Sequence, residues 1–389
     1  MLQLMDVFLS NNARITFATA ANESVHAFDV KEKGVHVEFI TLNSASFDDF
    51  ILTLQPTIVL FDRFLTEEQF GWRVAKNCPE SLRILDTEDL HCLRNARHEA
   101  FKQKRAFVTE DLFSDVAKRE IASMLRCDLS LIISTYEMEL LQTVFKIDDQ
   151  LLLYIPFLLD PIPTEAIAQW ATFEQRSGFI FVGNFLHEPN WNAVLFLKEE
   201  IWPLIRKEIP SAALRIYGAY AGHKVEQLHN ESEKFLCLGR IENSEEEVSK
   251  AKICLAPLRF GAGLKGKLIE AMQCGTPSCT TPIGAEAMHG ELEWSGLIGN
   301  SAKEIAANAI LLYQNKKLWD QKQKLGIEII KTEYNRIEFS KLLVERIEFM
   351  GNNLQAQRKQ NFMGSMLMHH SMESTRYKSQ WIEEKNRKK

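Results

Sequence analysis

Between Arg259 and Met272 the chain reads Arg-Phe-Gly-Ala-Gly-Leu-Lys-Gly-Lys-Leu-Ile-Glu-Ala-Met, so that Gly261, Gly263 and Gly266 alternate with the cations Arg259, Lys265 and Lys267. Glycine frees the backbone to turn its N–H groups toward a ligand, and a helix N-terminus adds partial positive charge to that of the lysines. The run follows an apolar stretch, Ile253–Ala256, and opens a helical pattern that runs to Cys274. Strand, glycine loop and helix in that order make a socket for a phosphate or diphosphate. Glu270, one turn into the helix, stands where a carboxylate can hold a sugar diol with both oxygens. Nucleotide sugars carry both groups. A flexible glycine loop before an ordinary amphipathic helix has the same spacing, and short Gly/Lys motifs have many false positives. The sequence that follows, Gly275-Thr276-Pro277 to Gly284-Ala285-Glu286, reads as helix stop, short strand and a further glycine turn, which favours the socket.

These residues need a scaffold, and the pattern supplies one. Short apolar runs alternate with helix-length amphipathic segments, the sequence form of an α/β fold with parallel sheets. In the first half the strand candidates are Arg14–Ala20, Val35–Ile40, Thr57–Phe61, Leu82–Leu85, Leu129–Ser134 and Leu152–Ile155. After a proline-containing connector come Phe179–Val182, Ala213–Tyr217, Phe235–Leu238, Ile253–Ala256, Ser278–Thr280 and Gly296–Ile298. Trp191–Glu208 is the clearest helix. At 389 residues the chain suits two domains, here two doubly wound units joined near 160–176.

In open parallel sheets ligands bind beyond the carboxyl ends of strands. Asp62-Arg63, Asp86-Thr87-Glu88-Asp89-Leu90-His91, Gly183-Asn184, Gly218-Ala219-Tyr220 and Gly239-Arg240 all follow strand candidates. With the Arg259–Gly266 loop they are expected to line one cleft. Asp86, Glu88, Asp89 and His91 have the chemistry to orient an acceptor hydroxyl. Glu88 or Asp89 equally suits the cap of a helix beginning near Leu90. His187 reads as a helix-entry residue.

Composition excludes several classes. A formal charge of −6 lacks the basic footprint of nucleic-acid binding. The seven cysteines are scattered without a CxxC pair, which indicates neither a zinc knuckle nor a disulfide framework and fits free thiols in a reducing cytoplasm. No apolar run has transmembrane length.

The segment Leu258 to Met288 resembles the donor-binding part of the retaining glycosyltransferases with two Rossmann-like domains (the GT-B fold), nearest to family 4, the glycosyl transferases group 1. Phe181-Val182-Gly183-Asn184 to Asn192 resembles the first strand and glycine loop of the donor domain, and Leu85 to His91 the acceptor-side loop. The resemblance implies a metal-independent, cofactor-free transferase acting with retention on a UDP- or GDP-sugar and a glycan or lipid-linked acceptor, in polysaccharide biosynthesis. It implies that Glu270 holds the ribose, and that Lys265, Lys267 and the Gly261–Gly266 backbone cradle the diphosphate. Gly183 becomes the close-approach glycine, with Asn184 beside it, and Gly239-Arg240-Ile241 meets the nucleobase. His91 and Asp89 are its acceptor-side catalytic candidates. The chain departs from the family pattern in three places, two of them here and the third at its start. Eight residues before Glu270, where the family has its first paired Glu, stands Ala262; Asn184, His187 and Asn190 occupy the region where many members have Arg and Lys. Alternatives on the same architecture are a nucleotide-sugar epimerase or hydrolase, and a degenerate nucleotide-sugar-binding subunit.

The domain expectation is 1–163 on the acceptor side, 164–335 for the donor, 336–352 as a helix crossing back, and 353–389 as a tail. That tail is basic and Met-rich, with Met363, Met366, Met368, Met372 and Trp381. It reads either as a helix packed on the first domain or as an amphipathic helix in peripheral contact with an anionic membrane. At the other end, Leu2–Leu9 already has the spacing of the family's first helix, so its first strand and glycine loop are expected upstream of Met1.

Overall fold

The computed structural model describes residues 1–21, 28–220 and 222–387, and for 370–373 the backbone alone. Lys388 and Lys389 of the tail, and the side chain of Met372, lie outside the described residues. The strands are β1 Thr16–Thr19, β2 His36–Phe39, β3 Ile58–Asp62, β4 Leu82–Asp86, β5 Leu129–Ile132, β6 Leu152–Tyr154, β7 Phe179–Val182, β8 Leu214–Tyr217, β9 Phe235–Gly239, β10 Ile253–Ala256, β11 Ser278–Thr280 and β12 Gly296–Ile298. Each falls on one of the apolar runs above, within a residue or two at its ends. All strand pairs are parallel. The protein is an α/β protein with Rossmann-like parallel-sheet units.

The chain divides into two compact units. Met1–Cys92, Phe113–Leu158 and Ile337–Lys389 make up the first. It holds a four-stranded sheet in the order β3-β4-β5-β6 and a two-stranded sheet, β1-β2. The N-terminal helix Leu2–Ser10 serves both: Leu4 and Val7 join the core over β4 and β5, while Met5 packs with Val30 and Val35. Leu343 and Met350, on the helix Arg336–Asn352, enter the larger of these cores.

Leu93–Leu112 and Leu159–Arg336 form the second unit. Its six-stranded sheet runs β12-β11-β10-β7-β8-β9. Strand β10 is buried along its whole length, as expected for a central parallel strand covered on both faces. One core cluster gathers Phe179, Phe181, Leu214, Ile216 and Leu255 from the sheet with Val194, Ile205, Ile305 and Trp319 from helices.

The helix expected over Trp191–Glu208 is interrupted. It begins at Glu188, with Pro189 in its first turn, widens into a π-helical turn at Leu197–Ile201 and resumes over Trp202–Glu208. Pro203 has no N–H to return to the preceding turn, and a wider turn ahead of it absorbs the missing bond. Among the described residues no helix is long and apolar enough to cross a membrane.

Candidate functional site

Strand order in the second unit reverses between β7 and β10. From that pair the chain winds outward in both directions, so the loops beyond their carboxyl ends part and leave a crevice. The glycine loop found in the sequence occupies it. Lys267 donates from Nζ to Asn190 Oδ1 at 2.7 Å, and Asn190 donates from Nδ2 to the Asn184 carbonyl at 2.8 Å. Those bonds tie the β10 loop to the β7 loop. Glycine is needed here for closeness: a Cβ on Gly183 would lie 2.9 Å from Asn190 Cγ, and one on Gly218 would lie 2.0 Å from the Gly183 carbonyl oxygen. The Gly218 N–H in turn donates to the Gly239 carbonyl, which brings the ends of β7, β8 and β9 side by side.

One cation of the loop is buried and a second is partly so. Lys265 is 6% exposed and donates to the Gly263 carbonyl at 2.7 Å. Burial and the nearby Lys265 charge bring the Lys267 ammonium down to about 8. Lys265 is also the N-cap of the helix Gly266–Gln273 and offers no side-chain acceptor to its first N–H groups. Partial positive charge at a helix start and two ammonium groups point to an anionic occupant. Gly261, with φ of +149°, supplies a backbone conformation that L side chains rarely adopt.

Glu270 lies one turn further on and accepts a hydrogen bond from the Ser244 hydroxyl. Burial raises its pKa, with Glu245 adding to the effect and Lys267 opposing it. Ser244 opens the helix Ser244–Lys250, which Asn243 caps. Sequence reading missed Ser244. The only available signal was Asn-Ser just after the Gly239-Arg240-Ile241 turn.

Arg97 was also missed. It is 5% exposed, and both its terminal nitrogens grip the Glu286 carboxylate, at 2.7 and 2.8 Å; one of them also donates to the Gly261 carbonyl at 2.9 Å. His98, one residue on, stacks on Phe260 with ring centroids 4.4 Å apart. These interactions explain why residues 93–112 belong with the second unit.

Arg259 does not join the two lysines. Its guanidinium lies over Phe101 and Phe196, donates from Nε to Asn192 at 2.7 Å, and stands 3.8 Å from Glu200. There it lines a separate cavity of about 510 Å³ with Phe101, Lys102, Lys104 and Arg105. Arg240 is exposed on the turn after β9.

In the first unit the acidic loop follows β4. Asp86, buried at the strand end, is pushed up to about 6, chiefly by burial and then by the Glu88 charge, with Asp62 adding. His91 Nε2 lies 3.5 Å from Asp89 Oδ1, and its ring meets Phe64 edge-on. The N–H groups entering the helix His91–Lys102 go to carboxylates from elsewhere in this unit. Leu90 donates to Glu137, and His91 and Cys92 donate to Glu120. Burial raises the Glu120 pKa. Among the described residues no group of three or more His, Cys, Asp or Glu could hold a metal ion.

Residues 176–315 match the family model for glycosyl transferases group 1. No curated protein matches the sequence. Among solved structures, TarM of S. aureus, determined with fondaparinux, α-GlcNAc-glycerol and UDP, is 15% identical with a TM-score of 0.59, over 77% of this chain and 58% of TarM. The chain thus spans little more than half of that protein's length. HepE of Anabaena, in complex with UDP and glucose, is 12% identical with a TM-score of 0.65, over 89% of this chain and 95% of HepE. A sucrose-phosphate synthase from Thermosynechococcus elongatus is 16% identical with a TM-score of 0.64, over 90% and 92%. The fold is the GT-B fold, and the matched domain supports a glycosyltransferase.

Proposed function

We propose that the chain is a retaining glycosyltransferase of family 4, moving a sugar from a UDP- or GDP-sugar to a glycan or glycoconjugate acceptor without a metal. The observation that carries this reading is the pairing of Lys267 with a neutral amide. Its ammonium is buried at the β7/β10 crevice, close to Lys265 and a helix start, against Asn190 rather than a carboxylate. An anion entering there replaces the missing hydration with charge-assisted hydrogen bonds. A diphosphate held so becomes a good leaving group, because the charge that builds on it as the glycosidic bond breaks meets fixed positive charge.

In this reading Glu270, oriented by Ser244, takes the ribose hydroxyls. The sugar C–O bond to the diphosphate breaks, the acceptor oxygen bonds to the same face of the anomeric carbon, and the acceptor proton passes to the departing phosphate oxygen. Asp86, Asp89 and His91 orient the acceptor hydroxyl, and Gly239 and Arg240 meet the nucleobase. A peptide of the Gly261–Gly263 turn, held by Arg97, takes over at the position where Ala262 replaces a carboxylate. The placement is cytoplasmic, and the acceptor class is polysaccharide or a lipid-linked precursor.

The test is turnover of UDP- and GDP-sugars with and without soluble and lipid-linked acceptors, with the anomeric configuration of product read by NMR. Acceptor-dependent release of nucleoside diphosphate with retained configuration is the expected result. Release of free sugar or an isomer without acceptor would make the protein a hydrolase or epimerase. Tight binding without any turnover would make it a binding subunit.

A further inference from the structure

The last helix, Phe362–Arg387, has one face on the protein and another in solvent. On the packed side a Cβ at Gly364 would lie 2.1 Å from the Leu125 carbonyl oxygen, Arg73 donates to the Ser379 hydroxyl at 3.3 Å, and Glu383 accepts the Ala45 N–H at 3.2 Å. Just before the helix, Arg358 grips the buried Asp128 at 2.7 and 2.8 Å. This side alone accounts for the helix being ordered against the first unit.

The opposite side is what needs a partner. Phe362, Met363, Met366, Tyr377 and Trp381 are 69, 55, 40, 62 and 63% exposed. At 3.6 residues per turn they fall within an arc of about 100°, shared with the exposed Gln380 and Glu384, and along about 28 Å of helix. A single exposed apolar side chain needs no explanation, whereas five on one stripe of one helix do. Cations flank the stripe. Lys385 Nζ sits 5.1 Å from the Trp381 ring centroid, the Arg376 guanidinium 5.9 Å from that of Tyr377, and Lys378 lies on the same flank as Lys385. Of the acids nearby, Glu383 and Glu384 both pair with Arg387, at 3.1 Å and 3.2 Å.

We propose that this face docks the protein onto an anionic lipid bilayer, the helix lying in the plane of the interface. Apolar residues enter the acyl boundary, Tyr377 and Trp381 sit at headgroup depth, and Arg376, Lys378 and Lys385 meet lipid phosphates. A protein partner with an apolar groove would match the stripe but not the cations on both of its flanks. Docking here does not rest on the donor reading.

The experiment uses the full chain with vesicles of phosphatidylcholine alone and of phosphatidylcholine with phosphatidylglycerol, read by co-sedimentation across a salt series. Binding to the anionic vesicles alone, weakening as salt rises, is expected. The double variant Tyr377→Ser/Trp381→Ser and the double variant Lys378→Glu/Lys385→Glu should each weaken it by about tenfold. All four positions are exposed, and an unchanged melting temperature confirms that the variants fold. Absence of binding to anionic vesicles overturns the proposal, as does binding that neither variant alters. So does a dimer, seen by sedimentation equilibrium, that Tyr377→Ser/Trp381→Ser dissolves while vesicle binding is absent.

Discussion

The loops after β10 and after β4 bury charges of opposite sign, and burial drives both toward neutrality. Lys267 falls to about 8 and Asp86 rises to about 6. Their neighbours differ in a way that matters. Lys267 has a neutral amide for a partner, so its charge is left for a ligand. Asp86 stands among Glu88 and Asp62, so the proton is held by repulsion as well as by desolvation. One loop is arranged to receive negative charge; the other keeps a carboxyl whose proton is shared with solvent near neutral pH.

The largest effect expected from breaking this contrast is at the cation. Lys267→Ala should weaken binding of UDP or GDP by roughly 2–4 kcal/mol, the scale of a charge-assisted hydrogen bond removed from a closed site. Lys267→Arg should rescue little, since a planar guanidinium does not fit where a compact ammonium meets Asn190. Calorimetry decides it, and wild-type affinity in the alanine variant would remove Lys267 from the site.

At the carboxyl the effect runs through stability. Between the ordinary value of 3.8 and about 6 the folded protein binds more protons than the unfolded chain, so this residue's contribution falls as pH rises through that window. Asp86→Asn should therefore stabilise the protein by roughly 3 kcal/mol above pH 6 and by nothing near pH 4. Melting temperatures of the two proteins from pH 4 to 8 test it. A constant difference across that range would contradict the raised pKa. If Asp86 also orients the acceptor, turnover should drop in the same variant.

A third test titrates the cation itself. Affinity for UDP should be flat below pH 8 and fall by up to about tenfold per pH unit above it, as the ammonium deprotonates. The free protein should move the other way. Between about 8 and the ordinary 10.5 it holds fewer protons than the unfolded chain and gains stability as pH rises. A pH-independent affinity from 7 to 10 would assign the diphosphate to other groups.

The smallest effect belongs to Ser244. Ser244→Ala removes one hydrogen bond to Glu270 and should raise the donor Michaelis constant by about fivefold, or about 1 kcal/mol. Glu270→Ala should do more and Glu270→Gln less. With a 2′,3′-dideoxyribose donor these differences should vanish; if they persist, Glu270 does not hold the ribose.

The strands and the glycine loop were legible because their signals are local. Ile253–Ala256 is an unbroken apolar run, and Gly261 to Lys267 lies within a few residues of it. The partners that orient this loop are distant in sequence. Arg97 reaches Gly261 and Glu286, and Glu120 and Glu137 accept from the N–H groups of Leu90 and His91 at the start of the helix His91–Lys102. An arginine inside a helical pattern, or a glutamate on an amphipathic helix, looks solvated until the fold brings its partner. The π-helical turn before Pro203 was not legible, because Trp191–Glu208 keeps a helical pattern through the proline and nothing local marks where the preceding turn widens. Arg259 belongs to the loop by spacing, yet two aromatic rings and Asn192 outside that loop draw it away.

Because the first unit is assembled from Met1–Cys92, Phe113–Leu158 and Ile337–Lys389, its completion follows the order in which the ribosome releases the chain. The second unit, nearly all of it in Leu159–Arg336, can close while the end of the chain is still being made. Asp128, buried just before β5, must wait more than two hundred residues for Arg358. Nascent first-unit sheets therefore spend the longest time unfinished, and slow elongation late in translation would extend their exposure to chaperones and proteases.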